Sequence, residues 1–385
     1  MPTRSAAGAN PVLDLAPLLA DPRTTIVVTC GSGGVGKTTT AAAMALWAAD
    51  AGRNVAVLTI DPAKRLAQSL GLDELDNDPR RVDVPLASPD GQLWAMMLDT
   101  RRTFDEMVSA HSTPERAQAI LSNPFYQVIS SSFSGTQEYM AMEKLATLAA
   151  TNQFDLIVVD TPPSRSALDF LDAPQRLSSF MDGRMIKLLA TPSRGVMKIV
   201  GAGFTLFSKA VTTVLGGQLL TDAAQFVQLF EDMFGGFRER AQATYELLRA
   251  PGTKFVVVSI CEGDALREAS YFTDRLRAEH MPLAGLILNR THPPLADLAA
   301  GPAQLATDKL GDAAPLAAAV LDIHRQRLEV RAAELHMRGR FDRVHSDLPV
   351  VEVPALPSDA HDLPALREIG LRLTHGTSYR PAETG

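Results

Sequence analysis

The stretch Cys30-Gly31-Ser32-Gly33-Gly34-Val35-Gly36-Lys37-Thr38-Thr39 constrains this chain more than any other. It spells Gly-x-x-x-x-Gly-Lys-Thr. The residues before it, Thr25 to Thr29, are β-branched in the main and read as a buried strand. The residues after it, Thr40 to Trp47, are rich in helix formers. Strand, glycine loop and helix in that order are what a phosphate cradle requires. Glycines at 31, 33, 34 and 36 let backbone amides approach an anion with no Cβ in the way. The helix N-terminus adds partial positive charge. Lys37 supplies a full charge beside the β and γ phosphates, and Thr38 a hydroxyl where Mg²⁺ would sit. Gly33, Gly34, Val35, Gly36, Lys37, Thr38 and Thr39 are therefore the first candidate nucleotide-binding residues, with ATP and Mg²⁺ as the implied ligands.

Further strand-like runs follow at Asn54–Ile60, Leu93–Asp99, Phe154–Asp160, Lys254–Ile260, Ala284–Leu288 and Pro349–Pro354, with helical patterns between most of them. This alternation predicts an α/β chain: a doubly wound, mostly parallel sheet of a phosphate-loop NTPase with helical insertions. Val12–Leu19 reads as a helical turn and 72–89 as a loop or excursion. Pro62 reads as the first residue of a helix, and 264–279, 295–337 and 362–373 as helices. Residues 1–100 form the first part of a nucleotide-binding domain. A helical segment covers 101–150, the fourth strand and its continuation 151–177, a helical insertion 178–250, and the rest of the domain 251–385. In such sheets, ligand chemistry collects at the carboxyl ends of the strands. The loop, Asp61, Asp160, Glu262 and Asn289 all fall at such ends.

Composition closes off other classes. Net charge is −7, without the basic excess of a nucleic-acid footprint. The two cysteines, Cys30 and Cys261, each end an apolar run and read as buried thiols in a reducing compartment. The N-terminus lacks the shape of a signal peptide. The one long apolar stretch, Val196–Leu220, carries Lys198, Lys209 and four glycines, a poor membrane span. A cytoplasmic protein is expected.

Two acids stand out. Asp160 ends an aliphatic strand and suits the aspartate that contacts Mg²⁺ in phosphate-loop nucleotidases; it equally suits an N-cap before Pro162. Asp61 ends the neighbouring strand, where an acid can orient or deprotonate the attacking water; it too suits an N-cap.

Three blocks together resemble the arsenical-pump ATPase and tail-anchored-protein-targeting ATPase family. One is the loop with doubled Gly33-Gly34 and Thr38-Thr39. The next is Ile60-Asp61-Pro62-Ala63-Lys64-Arg65-Leu66-Ala67-Gln68-Ser69-Leu70-Gly71, similar to the family's first switch. The third, Asp160-Thr161-Pro162-Pro163-Ser164-Arg165-Ser166-Ala167-Leu168-Asp169-Phe170-Leu171, is similar to its second switch. Asn289 lies where the family reads adenine, and Pro354 to Leu363, with Pro354 and Leu356, resembles its later adenine-side loop. The resemblance implies a dimer with nucleotide at the interface. Asp61 and Lys37 would be catalytic, Thr38 a Mg²⁺ ligand, Asp160 a metal contact through water, and Glu262 a residue near nucleotide and interface. In the targeting branch the helical insertions form a groove for a hydrophobic client helix.

Several departures matter. The family carries a lysine where this chain has Ser32. That lysine crosses the dimer like an arginine finger, a contact class worth roughly 10³–10⁵ in rate. Its absence favours a heterodimer with a lysine-bearing paralogue over a homodimer, and predicts low activity alone. Cys-x-x-Cys pairs are absent, and two lone cysteines cannot build the three-thiol site of an arsenical pump. Arg165-Ser166 replaces the family's Gly-His; Arg165 and Arg194 are candidate substitute fingers. Phe180, Met181, Met185, Met197, Phe204, Phe207, Phe226, Phe230, Met233, Phe234 and Phe237 would line a client groove or form plain insertion core. The expected function is a dimeric ATPase gating a protein partner or hydrophobic client. A weakly hydrolysing nucleotide-responsive scaffold and a metalloid efflux ATPase subunit are the alternatives. A partition ATPase fits less well, because those proteins usually lack a large helical insertion.

Overall fold

β1 (Ile26–Cys30) is buried at every residue, because it lies between two parallel neighbours. That position explains its unbroken apolar run. The computed structural model describes residues 10–124, 126–127, 136–162, 239–360 and 362–375, with 222, 225, 226, 229 and 236. Its other strands are β2 (Asn54–Thr59), β3 (Arg80–Arg81), β4 (Gln92–Met97), β5 (Leu156–Asp160), β6 (Thr253–Ile260), β7 (Leu283–Thr291) and β8 (Val350–Pro354). They form one sheet in the order β3-β4-β2-β5-β1-β6-β7-β8, parallel except for β3 against β4. The chain leaves β1 toward β2 on one side, and passes from β5 to β6 on the other. The order thus reverses around β1, and the loop after β1 lies at the switch point where such sheets bind ligands.

The described helices are α1 (Leu15–Ala20), α2 (Lys37–Asp50), α3 (Arg65–Ser69), α4 (Thr100–Ala110), α5 (Pro114–Leu121), α6 (Thr136–Ala150), α7 (Gly263–Ala278), α8 (Ala300–Leu310), α9 (Pro315–Val344) and α10 (Leu363–His375). α2 packs on β2, β5 and α10. Its alanines at 41, 42, 43, 45, 48 and 49 are fully buried, and the small side chains let neighbours approach closely. Gly370 of α10 shows how closely: a Cβ there would stand 3.2 Å from the Ala43 carbonyl.

Three local expectations are corrected. The stretch 72–89 is not all loop, since Arg80 and Arg81 pair with β4 as a two-residue edge strand. Two exposed arginines carry no strand pattern of their own, and the pairing comes from the partner. Pro62 does not open a helix; α3 begins at Arg65 with Lys64 at its cap. The helical stretch 295–337 is two helices broken at Gly311 (φ 38°), and the second runs on to Val344.

The chain divides into two compact units. The first, Met1–Met97 with Asn152–Ala167 and Leu248–Gly385, carries the sheet. The second, Leu98–Thr151 with Leu168–Leu247, carries α4, α5 and α6. Within it Tyr126 packs between Phe104 and Phe226, with ring centroids 5.1 and 6.1 Å away. Phe226, a candidate groove residue, is thus buried core. The other proposed groove residues, Val196–Leu220, Arg165 and Arg194 lie outside the described residues. Among the described residues no helix is long and apolar enough to cross a membrane.

Candidate active site

The loop from Gly31 to Gly36 is locked from the β6–β7 side. Asn289, at the end of β7, donates from Nδ2 to the Val35 carbonyl at 2.9 Å. The same nitrogen would lie 2.2 Å from a Cβ on Gly36, whose φ of 94° already disfavours any other residue. Gly31 is pressed on β6: a Cβ there would meet the Val258 carbonyl at 2.1 Å. Gly36 is the N-cap of α2 and, being glycine, brings no side chain to cap that N-terminus. The first-turn amides of a 14-residue helix are thereby left for an anion. Gly33 and Gly34 are exposed at the crest, whereas Val35 is buried beneath it.

Lys37, Thr38 and Thr39 open α2. Lys37 is 6% exposed, and its Nζ donates to the carbonyls of Gly31 and Ser32 at 2.9 Å each. Burial pulls its pKa below the usual lysine range; Asp160 and Asp61 oppose that pull. An ammonium so placed, without an ion pair among the described residues, is matched to an incoming phosphate.

Asp160 ends β5 between β1 and β2. Its Oδ2 accepts from the Thr38 hydroxyl at 2.7 Å and the Thr59 hydroxyl at 2.9 Å. Its Oδ1 is buried with no hydrogen-bond partner among the described residues. Burial pushes its pKa up to about 6, against the two hydroxyl donors and Lys37. An orphaned buried carboxylate oxygen is costly unless something fills its place. Hard oxygen donors, one carboxylate and one hydroxyl at the foot of a phosphate cradle, fit Mg²⁺, which keeps waters and takes few protein ligands. Among the described residues no cluster of three or more His, Cys, Asp or Glu could hold a metal by itself.

Asp61 follows β2 and is 9% exposed. Its Oδ1 accepts from the Ala63 amide at 3.0 Å, and its Oδ2 lies 3.7 Å from Arg65. Its own amide is held by the Thr59 hydroxyl at 3.2 Å. One threonine thus positions both acids. Pairing of β7 with β8 brings Pro354 beside Thr291 at the strand end that bears Asn289. The Pro354 carbonyl is taken by Arg372 at 2.9 Å, and Leu356 packs on the core. Glu262 is exposed at the N-terminus of α7, and its carboxylate does not cap that helix. The loop, Lys37, Thr38, Asp160 and Asn289 are joined directly by hydrogen bonds; Glu262, Pro354 and Leu356 are not joined to them.

Sequence reasoning passed over Thr59, and also Thr161, whose hydroxyl donates to the Thr29 carbonyl at 2.7 Å. Threonine is an ordinary strand former, so its type carries no warning. The only available clue was its place two residues before a strand-end aspartate. Both cysteines are buried, with thiol pKa values pushed up to about 12 by burial. They are inert thiols.

Comparison with known proteins places the chain in a family. The family model described as "Anion-transporting ATPase" matches residues 24–297. "ATPase GET3B" of Arabidopsis thaliana is 26% identical over 360 residues, covering 88% of this chain and 76% of the relative. "ATPase GET3" of Podospora anserina is 27% identical over 178 residues, covering 46% of this chain and 50% of the relative. A "Putative arsenical pump-driving ATPase" of Halobacterium salinarum is 29% identical over 175 residues, covering 43% and 26%.

Proposed function

The chain belongs to the anion-transporting ATPase family, and on that premise we propose that it hydrolyses ATP with Mg²⁺ in the cytoplasm, as a dimer whose nucleotide state gates a protein partner or hydrophobic client. The observation that carries the ATPase reading is the Thr38–Asp160 pair beneath the loop, with its unsatisfied carboxylate oxygen. In this reading Lys37 leaves the Gly31 and Ser32 carbonyls for the β and γ phosphates. Thr38 and, through water, Asp160 would hold Mg²⁺, which when bound would offset charge on the phosphate oxygens. Asn289, Pro354, Leu356 and Glu262 serve the base side and the interface. Asp61 orients the attacking water and accepts its proton as the terminal phosphoryl leaves. The Ala63 amide holds one oxygen of that carboxylate, and the other, 3.7 Å from the mostly exposed Arg65 guanidinium, is the one that would meet the water.

Ser32 favours a lopsided dimer. A paralogue with lysine at this place would complete the present site, whereas a homodimer would hydrolyse slowly. Two inert thiols disfavour a metalloid pump. The test is steady-state ATP turnover by the chain alone, by Asp61→Asn and Lys37→Ala, and by mixtures with a lysine-bearing paralogue. Asp61→Asn should keep ATP binding and lose turnover; Lys37→Ala should lose both. Absence of ATP binding by the parent chain would overturn the ATPase reading. Full turnover alone, unchanged by any paralogue, would overturn the heterodimer.

A further inference from the structure

β7 breaks its own alternation at Arg290. Asn289 pairs with Val353, yet Thr291 pairs with the very next residue, Pro354, so Arg290 is the extra residue of a bulge. Its φ is 56°, the left-handed region that side chains larger than glycine's seldom adopt. A regular strand would send the side chains of Asn289 and Arg290 to opposite faces. Here both address the same loop: Asn289 the Val35 carbonyl at 2.9 Å, and Arg290 the Gly34 carbonyl through a guanidinium nitrogen at 3.5 Å. Bulges next to functional sites commonly re-aim a side chain in this way.

The re-aimed group is under-used. Arg290 is exposed and has no acidic partner among the described residues. Its one contact is at the outer limit of a hydrogen bond, and four more N–H donors remain. Gly34 beside it is open, since a Cβ there would meet nothing within 4 Å. A cationic fork thus stands at the rim of a phosphate cradle, on the side away from Asp61 and Asp160, held by a contact weak enough to exchange. Bidentate capture of phosphate oxygens is what a guanidinium does best.

We infer that Arg290 is a phosphate-positioning residue, which leaves the Gly34 carbonyl and clamps the polyphosphate chain of the nucleotide from the β7 side. The inference rests on the reading of the loop as an ATP site.

Arg290→Gly tests it, because glycine suits a φ of 56° and keeps the bulge. The full-length variant should melt at or above the parent's temperature. It should bind both Mg-ADP and inorganic tripolyphosphate about ten- to a hundredfold more weakly, the span of one charge-assisted contact. KM for ATP should rise more than kcat falls, and Arg290→Lys should recover part of the affinity. Unchanged affinity in Arg290→Gly would overturn the inference and leave the ATPase reading intact. So would a loss confined to Mg-ADP with tripolyphosphate unaffected, which would place the contact on base or ribose. A loss that only tracks a lower melting temperature would reduce Arg290 to a structural support and overturn it too. Failure of the parent chain to bind either ligand would remove both readings together.

Discussion

The Asn289 side-chain nitrogen occupies the space that a Cβ on Gly36 would need, 2.2 Å away. The loop and the end of β7 are therefore fitted to each other, not merely adjacent. Gly36→Ala must displace Asn289 and must also hold alanine at a φ of 94°. The backbone alone costs about 1–3 kcal/mol. Nucleotide affinity should fall at least about tenfold, since the loop shifts by more than a phosphate contact tolerates. Asn289→Ala should cost about 1 kcal/mol for the lost bond to Val35. The double variant should be less destabilised than the sum of the two, because Asn289→Ala clears the space that Gly36→Ala needs. Urea denaturation of all four proteins checks this; strict additivity would refute it.

This fit was only half legible in the sequence. The glycines, Lys37 and Thr38 announced the loop because few other structures use that spacing after an aliphatic strand. Asp160 was legible as an acid closing four aliphatic residues. The partners that set their geometry were silent. Thr59 looks like any strand threonine, although it holds both Asp160 and the Asp61 amide. The Arg290 bulge depends on a register shift between β7 and β8, a long-range property that no local pattern encodes. The helix start moved from Pro62 to Arg65 because the Asp61 side chain closes a turn on Ala63 first.

Asp160 should trade stability for function. At pH 7.5 a carboxyl with a pKa near 6 is ionised, and it is fully buried with one oxygen unpaired. Asp160→Asn removes that charge while keeping an oxygen for Thr38 and Thr59. The nucleotide-free variant should melt above the parent, by roughly 1–2 °C for each kcal/mol regained in a chain of this length. The further rise in melting temperature that Mg-ATP gives the parent should shrink in the variant. Scanning calorimetry with and without Mg-ATP measures both; a lower melting point in the nucleotide-free variant would contradict the account.

A second buried group makes the fold sensitive to acid. The His345 ring is 1% exposed; it shares a hydrogen bond with the Ser270 hydroxyl at 2.6 Å, and its Nδ1 has no hydrogen-bond partner among the described residues. Burial lowers its pKa. Arg277 pushes the same way, while Asp274, 3.9 Å from Nδ1, and Asp347 oppose. The unfolded chain takes up a proton near pH 6.5, and the folded chain resists until lower pH. Stability from this group is thus present above about pH 6.5 and lost as pH falls through the lowered folded value. Melting temperature should decline on acidification below about 6.5, and His345→Gln should flatten that part of the profile. A variant whose profile runs parallel to the parent's would sink the assignment.

Arg53 offers the contrasting case of a buried charge that serves stability alone. It is 8% exposed and donates to the carbonyls of Leu19, Thr24 and Asp155, tying the chain before β1 to the start of β5. Those residues lie at the amino ends of the parallel strands, opposite to the loop, Asp160 and Asn289. Arg53→Ala would leave three carbonyls without their donor and should cost about 3 kcal/mol or more, each bond to a charged group being worth ~1.5–3. Arg53→Lys should recover only part, because one ammonium cannot span acceptors that a planar fork reaches together. Both variants, measured below their melting temperatures, should bind Mg-ADP as the parent does. A folded Arg53→Lys protein with weakened nucleotide binding would show that the two ends of the sheet are coupled, contrary to this division of roles.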